Sequence, residues 1–222
     1  LGDNSIAGQY IAKASGTRAI AFGNESQATN TNAIAMGNST LASGSGALAL
    51  GNDAHATNTN SSSIGSSSRA TGNTSLAMNS GNAAGERSTA IGLQGLANED
   101  GKGAFATGYF AANGDAQGGM FILRADTTDA TATVLTTNNS TAASTNQIVA
   151  ASDTCIMFSG TIVAMQDGAQ DQGGWEIRGL LKNDGGTTTL VNSEVKTFAD
   201  GNGWTVVLSA DNTNNAIAIT CT

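Results

Sequence analysis

The stretch Ala19-Ile20-Ala21-Phe22-Gly23 recurs fourteen residues later as Ala33-Ile34-Ala35-Met36-Gly37, and again as Ala47-Leu48-Ala49-Leu50-Gly51. Weaker copies follow as far as Gly108, and a column of alanines runs five residues behind the glycine column. Self-similarity at a fixed period is the signature of a repeat architecture. This repeat therefore decides the fold of the first half of the chain.

Each unit contains two short alternating stretches, separated by turn clusters such as Asn30-Thr31-Asn32 and Gly44-Ser45-Gly46. Alternation with a period of two indicates strands, and clusters of Asn, Gly and Ser indicate turns. Fourteen residues are too few for a pair of helices, but they suffice for one coil of a β-solenoid. The recurring glycine is typical of a corner that requires positive φ.

Two columns of larger apolar side chains flank the small alanines, with Ile20, Ile34 and Leu48 in one and Phe22, Met36 and Leu50 in the other. A coil this thin has little interior, so a single solenoid would expose an apolar face. We expect that face to be buried against copies of itself, which predicts a homotrimer.

The Ala-x-Ala-x-Gly units resemble the head repeats of trimeric autotransporter adhesins, the YadA-like heads, over about residues 5–112. The resemblance implies a trimeric left-handed parallel β-roll, with residues 1–116 as its shaft. Polar residues replace the apolar pattern at Ser61 to Ser63. The last two spacings of the repeat, from Asn79 to Gly92 and from Gly92 to Gly108, are also irregular. We expect looser or bulged coils at both places.

The period ends near Gly114, and from Met120 onward eight longer stretches predict strands separated by turn clusters. Short strands with turns between them and no helical period predict an antiparallel β-sandwich or jelly roll. We assign this second domain to residues 117–222, which carry 4 basic and 10 acidic groups. The fold class is therefore all-β throughout.

The second domain is similar to a domain at the ends of phage tail fibres, on the strength of residues 119–124, 158–164 and 173–179. The resemblance covers nearly all of residues 117–222. It implies the distal part of a trimeric phage tail fibre, a structural and host-receptor-binding protein of the virion that lies outside the cell. Its expected partners are other phage fibre or tail proteins and a host cell-surface glycan or outer-membrane component.

Host recognition is expected in the second domain, because binding energy concentrates in aromatic and charged groups on loops. The candidate receptor-binding residues are Asp167, Asp171, Trp175, Asn183, Asp184, Asn202 and Trp204. Both tryptophans also begin apolar strands, so burial in the sandwich is the alternative for each.

Two other functions stay open. The repeats alone also fit the head of a bacterial trimeric surface adhesin, located at the bacterial cell surface. A glycan-degrading fibre enzyme would need paired carboxylates, and Asp167, Asp171 and Glu176 are the available cluster. Loops attract Asp for turn reasons, and the single histidine, His55, has no partner motif. We therefore expect no enzyme, no catalytic residue, no metal site and no cofactor.

Composition excludes several further classes. A net charge of −8, with 12% charged residues, argues against nucleic-acid binding, because phosphate neutralisation requires clustered Lys and Arg. No apolar run is long enough to span a membrane. Cys155 and Cys221 lack the spacing of a zinc site, and either a disulfide or two buried free thiols would fit them. The chain opens in mid-pattern at Leu1, which indicates a segment of a longer protein, and shows no signal-peptide pattern.

Overall fold

The computed structural model describes residues 1–168, 171–200 and 203–222, and this part of the chain is all-β, with no helix. The chain forms two compact units, Leu1–Phe121 and Ile122–Thr222. The division falls after Phe121 rather than after residue 116, because residues 117–120 form a last strand that pairs within the first unit. The all-β prediction is confirmed.

The first unit contains sixteen short strands. In chain order they are β1 (Ile6–Gly8), β2 (Lys13–Ala14), β3 (Ile20–Phe22), β4 (Gln27–Ala28), β5 (Ile34–Asn38), β6 (Leu41–Ala42), β7 (Leu48–Asn52), β8 (His55–Ala56), β9 (Ser62–Ile64), β10 (Arg69–Ala70), β11 (Leu76–Met78), β12 (Asn82–Ala83), β13 (Thr89–Ile91), β14 (Leu96–Ala97), β15 (Gly103–Ala106) and β16 (Gln117–Met120).

These strands stack as a parallel β-solenoid. The odd-numbered strands β1 to β15, followed by β16, form a nine-stranded sheet, and the even-numbered strands β2 to β14 form a seven-stranded sheet. Each coil gives one strand to each sheet, and equivalent residues of successive coils lie side by side, as Ala21 and Ala35 do. Seven coils result, and β16 closes the stack by pairing antiparallel to β15. The solenoid predicted from the repeat is confirmed.

Alanine fills the interior of the roll. Along β3, β5 and β7, the middle alanine (Ala21, Ala35 or Ala49) is 0% exposed, whereas the residues on either side point away from the coil. Side chains alternate between the two faces of a strand, so the small column faces inward and the large apolar columns face outward. The second alanine column, which includes Ala28 and Ala42, is also fully buried.

The glycine corners have the predicted backbone conformation. Gly23, Gly37, Gly51 and Gly65 all have φ between +104° and +136°, and Asn79 replaces glycine with φ of +52°. The corners also stack closely, since a Cβ on Gly37 would clash with the carbonyl oxygen of Gly51 in the next coil. Glycine is therefore required at these corners for both conformation and space.

We predict that Gly37→Ala destabilises the roll by about 1–3 kcal/mol, because alanine must adopt an unfavourable φ and displace the next coil. Thermal unfolding measures the change. Gly118→Ala in β16 is the matched control, since no atom beyond its own residue and its two chain neighbours lies within 4 Å of its would-be Cβ. Equal melting temperatures for the two variants would contradict this role of the corner.

The prediction of a looser or bulged coil at Ser61 to Ser63 is wrong. Ser62 and Ser63 lie in register with Leu48 and Ala49 of the preceding coil. The Ser63 hydroxyl contacts the carbonyl oxygen and the hydroxyl of Ser68, each at 2.8 Å. Serine is small enough for the alanine column, and these contacts satisfy its hydroxyl, so the coil stays regular.

The second unit contains β17 (Thr133–Val134), β18 (Ile148–Val149), β19 (Thr154–Met165), β20 (Gln172–Asp184), β21 (Thr187–Asp200), β22 (Val206–Asp211) and β23 (Ala216–Cys221). The strand expected to begin at Met120 is reduced to a single bridge, Arg124 to Thr136. Within the described residues, β19, β20 and β21 form one antiparallel sheet, and β17, β18 and β22 pair with β23 in another.

Both sheets of the second unit contribute to one hydrophobic core. Phe158, Trp175 and Leu181 from the β19–β21 sheet pack in the same cluster as Ile217 and Ile219 from β23. Two antiparallel sheets that share a core are the arrangement predicted for this part of the chain.

Candidate functional site

The outward face of the nine-stranded sheet forms a continuous apolar surface, which we call the roll face. It carries Ile20 and Phe22, Ile34 and Met36, and Leu48 and Leu50 in stacked pairs. Several of its members are well exposed in a single chain, including Ile6 at 53%, Phe22 at 39% and Met36 at 44%. A row of this length is unusual on a monomer and marks an interaction surface.

A ladder of amides borders the roll face at the glycine corners. The Asn24 side-chain amide donates to the Asn38 side chain at 2.9 Å, and Asn38 donates in the same way to Asn52 at 2.8 Å. Phe22, Met36 and these first two asparagines line a surface groove. The ladder ties successive corners together beside the apolar row.

The outward column of the seven-stranded sheet is mixed, and it contains His55. The His55 Nε2 atom lies 3.2 Å from Asp53 Oδ1, and Arg69 of the next coil lies 2.9 Å from Asp53 Oδ2. Hydrogen bonding from Arg69 holds the pKa of Asp53 below its usual range. Burial, aided by the neighbouring Arg69 charge, lowers the pKa of His55. The cluster is a partly exposed ion-pair network along the roll.

We predict that His55 makes the roll less stable at mildly acidic pH. Because its pKa is lower in the folded chain than the ordinary value of 6.5, the unfolded chain takes up the proton first as the pH falls. The contribution of His55 to stability is therefore complete above about pH 6.5 and is lost as the pH falls through the folded pKa.

The measurement compares melting temperatures at about pH 7.5 and pH 5 for the wild type and for His55→Gln, on either side of the ordinary histidine pKa. Glutamine is the residue that the same column holds at Gln27. The wild type should lose more stability than the variant on acidification. The same loss in both proteins would contradict the prediction.

Three of the predicted receptor-binding residues lie at the ends of the β19–β21 sheet. Asp167 is exposed in the segment after β19, and Asp171 is partly exposed just before β20. Asp184 is exposed at the end of β20 and forms an ion pair of 2.7 Å with Lys182, which lowers the pKa of Asp184. These carboxylates are accessible to a ligand.

Two other predicted receptor-binding residues are structural. Trp175 is 4% exposed and belongs to the core between the sheets. Asn183 is 2% exposed, donates to the Ala150 carbonyl oxygen at 2.8 Å and accepts from the Gly186 amide at 2.9 Å. Both side chains are committed inside the unit, so a ligand at the surface does not reach them.

The last two predicted residues differ from each other. Trp204 is partly buried and packs against the core, so only part of its ring faces solvent. Asn202 lies outside the described residues. Of the seven predicted positions, the carboxylates are therefore the most accessible in the described part of the chain.

The cysteines are free, with Cys155 exposed and Cys221 partly buried, so neither the disulfide nor a pair of buried thiols describes them. Burial raises the pKa of the Cys221 thiol. Among the described residues, no group of three His, Cys, Asp or Glu side chains is placed to hold a metal ion. The described segments also contain no helix with the length and apolarity needed to cross a bilayer.

Sequence reasoning missed the outer face of the β19–β21 sheet. Its members include Met157 (82% exposed), Val163 (84%) and Phe198 (67%), together with an ion pair between Arg178 and Glu194. The signal was present in the sequence, because the segment Cys155–Met165 has apolar residues at both odd and even positions. Such a strand has two apolar faces, and only one of them can face the core of a two-layered unit.

The model of the YadA head domain repeat family matches residues 14–40, 42–68 and 56–78. All three ranges lie in the solenoid, and they confirm the resemblance of its coils to YadA-like adhesin heads. No curated protein matches the chain. The coils of the roll are thus similar to YadA head repeats.

Proposed function

We propose that the chain is an extracellular attachment protein that acts as a homotrimer, with the roll as a rigid spacer and the second unit as the host-binding part. The observation that carries the proposal is the exposed roll face on coils of the YadA head type. A long apolar row needs a partner, and symmetric association of identical chains provides one.

The spacer role follows from the surface of the roll. Seven coils at about 4.8 Å each give a shaft about 35 Å long. Apart from the roll face, the shaft presents repeated small and polar residues such as Thr31, Ser45 and Thr59. Such a surface offers few of the aromatic and charged anchors that concentrate binding energy.

The recognition role falls to the second unit, where Asp167, Asp171 and Asp184 are accessible. A host surface glycan or an outer-membrane component is the proposed receptor. A trimer displays each site three times, and such multivalency raises avidity by about 10²–10⁴-fold over a single weak contact. The second unit has no assigned catalytic residue, and we propose binding without enzymatic cleavage.

We further propose that the particle is the distal part of a phage tail fibre, because residues 117–222 resemble the ends of such fibres. The YadA head match favours the second candidate, the head of a bacterial surface adhesin. The genes beside the coding sequence discriminate between them. Portal and capsid genes would establish a phage origin, whereas an adhesin requires a secretion signal upstream and a membrane anchor downstream.

Host-cell binding tests whether the second unit, rather than the roll, recognises the host. Labelled full-length chain is bound to host cells and challenged with unlabelled full-length chain, with residues 1–121, or with residues 122–222 fused to a trimeric coiled coil. We expect the full-length chain and the 122–222 fusion to compete, and residues 1–121 to leave binding unchanged. Competition by residues 1–121 alone would assign recognition to the roll. Release of sugar fragments from host polysaccharide would instead favour an enzyme.

A further inference from the structure

The β19–β21 sheet has an outer face that nothing covers within the described part of the chain. Along β19, residues Ile156, Phe158 and Ile162 belong to the core cluster, so the odd-numbered residues between them point away from it. In β20 the same alternation directs Glu176, Arg178, Leu180 and Lys182 outward. We call this surface the outer tip face.

Two bulges enlarge the apolar part of the outer tip face. The register between β20 and β21 shifts between Leu180 and Leu181 and again between Gly174 and Trp175. The extra residues that the shifts leave unpaired are Val191 (53% exposed) and Phe198 (67% exposed). With Met157, Val163 and Met165 on β19, large apolar side chains lie toward both ends of the face.

Charged residues occupy the middle of the same face. The Arg178 Nε atom donates to Glu194 Oε2 at 2.8 Å, and Glu176 pairs in register with Lys196. The Lys196 ammonium also lies 4.7 Å from the centre of the Phe198 ring. Opposite charges alternate along and across the strands, so the pattern complements a second copy of itself.

The distribution of charge singles out this face in an acidic unit. Residues 122–222 contain four basic side chains and ten acidic ones. Three of the four basic groups, Arg178, Lys182 and Lys196, lie on the outer tip face. Only three of the ten carboxylates share the face: Glu176, Glu194 and Asp184, which is ion-paired with Lys182. The rest of the unit is therefore strongly negative. Copies of the unit repel one another except through this face.

We propose that the outer tip face is the surface through which the second units of the trimer pack against one another. The proposal rests on the proposed homotrimer, because three rolls held together keep their second units at a high effective concentration. Apolar contact toward both ends and charge pairing in the middle then bury the face. The receptor is consequently bound by other surfaces of the unit, such as the end that carries Asp167 and Asp171.

Cys155 provides a native probe, because it is exposed in the single chain and pairs with Lys182 at one end of the outer tip face. The full-length chain with Cys221→Ser retains this thiol alone. The reference chain carries Val207→Cys with both native cysteines changed to Ser, since Val207 is 54% exposed on β22. Maleimide alkylation is followed in each folded protein, and each rate is divided by the rate for the same chain unfolded.

We expect Cys155 to react at least about tenfold more slowly than the Val207→Cys thiol, because packing excludes the reagent. Val163→Lys, at a position 84% exposed in the single chain, should restore the reactivity of Cys155, whereas Val207→Lys should not. A trimer in which Cys155 reacts as fast as the reference overturns this proposal alone. A monomeric particle overturns the proposed homotrimer and this proposal together.

Discussion

Ala35→Leu is expected to destabilise the roll by about 1–3 kcal/mol in each subunit, because it overpacks a filled interior. Ala35 is 0% exposed and lies between Ala21 and Ala49 of the neighbouring coils. A larger side chain has no space there unless the two sheets move apart. In a trimer the change occurs three times, so thermal unfolding followed by circular dichroism should show it clearly.

Ser62→Leu is the matched control for that substitution. Ser62 is an outward residue of β9, in register with Leu48 and Leu76, which already carry the same side chain. The Ser62→Leu substitution should leave the melting temperature unchanged or raise it. If Ala35→Leu melts like the wild type, the inward and outward faces of the coil have been assigned the wrong way round.

Trp175→Ala is expected to destabilise the second unit by about 3–5 kcal/mol, the usual range for removing a buried tryptophan from a core. The ring is 4% exposed and packs with residues of both sheets. Tryptophan fluorescence and calorimetry of the full-length chain would locate the loss in the second unit. The substitution also separates a core role from the receptor-binding role that sequence reasoning gave this residue.

The control is Val207→Ala, which removes an exposed side chain from β22 and should change stability by less than about 0.5 kcal/mol. A Trp175→Ala variant with unchanged stability but weakened binding to host cells would contradict the core role and support a receptor-binding role for Trp175.

The roll could be predicted in detail because its constraints are local and repeated. Because equivalent residues of successive coils stack in register, the same assignment of inward and outward positions must hold for every coil. Gly23, Gly37 and Gly51 thus identify the corner, and the alanines between larger residues identify the interior. The looser coil predicted at Ser61 to Ser63 followed from the polarity of the serines. Their small size, which lets serine replace alanine in the column, is what keeps the coil regular. In so narrow a coil, size decides.

The candidate site was harder to predict because burial in the second unit depends on contacts between residues far apart in sequence. Trp175 directly follows the turn residues Gly173 and Gly174, and Asn183 begins the turn-rich segment 183–186, which suggested that both lie at exposed loops. The structure instead extends β20 over Gln172–Asp184, so both positions fall within a strand on its inward side. Asn183 bonds to Ala150, a partner that no local pattern reveals.

The outer tip face was also difficult to predict from the sequence, but here the difficulty concerned residues that turn out to be exposed. Period-two alternation identified β19, but both sets of alternate residues contain apolar side chains. Sequence alone does not say which set faces the core. The bulges that direct Val191 and Phe198 outward interrupt the alternation in β21, so that surface emerges only from the paired strands.

The mass of the particle in solution tests the central claim, that the roll face is buried between identical chains. Light scattering on a size-exclusion column should give about 66 kDa for the wild type, three times the chain mass of 22.0 kDa. Leu48→Lys places a charge in the roll face and should shift the particle toward a single chain, since burying an unpaired charge is costly. A wild-type mass of 22.0 kDa at micromolar concentration would contradict the account.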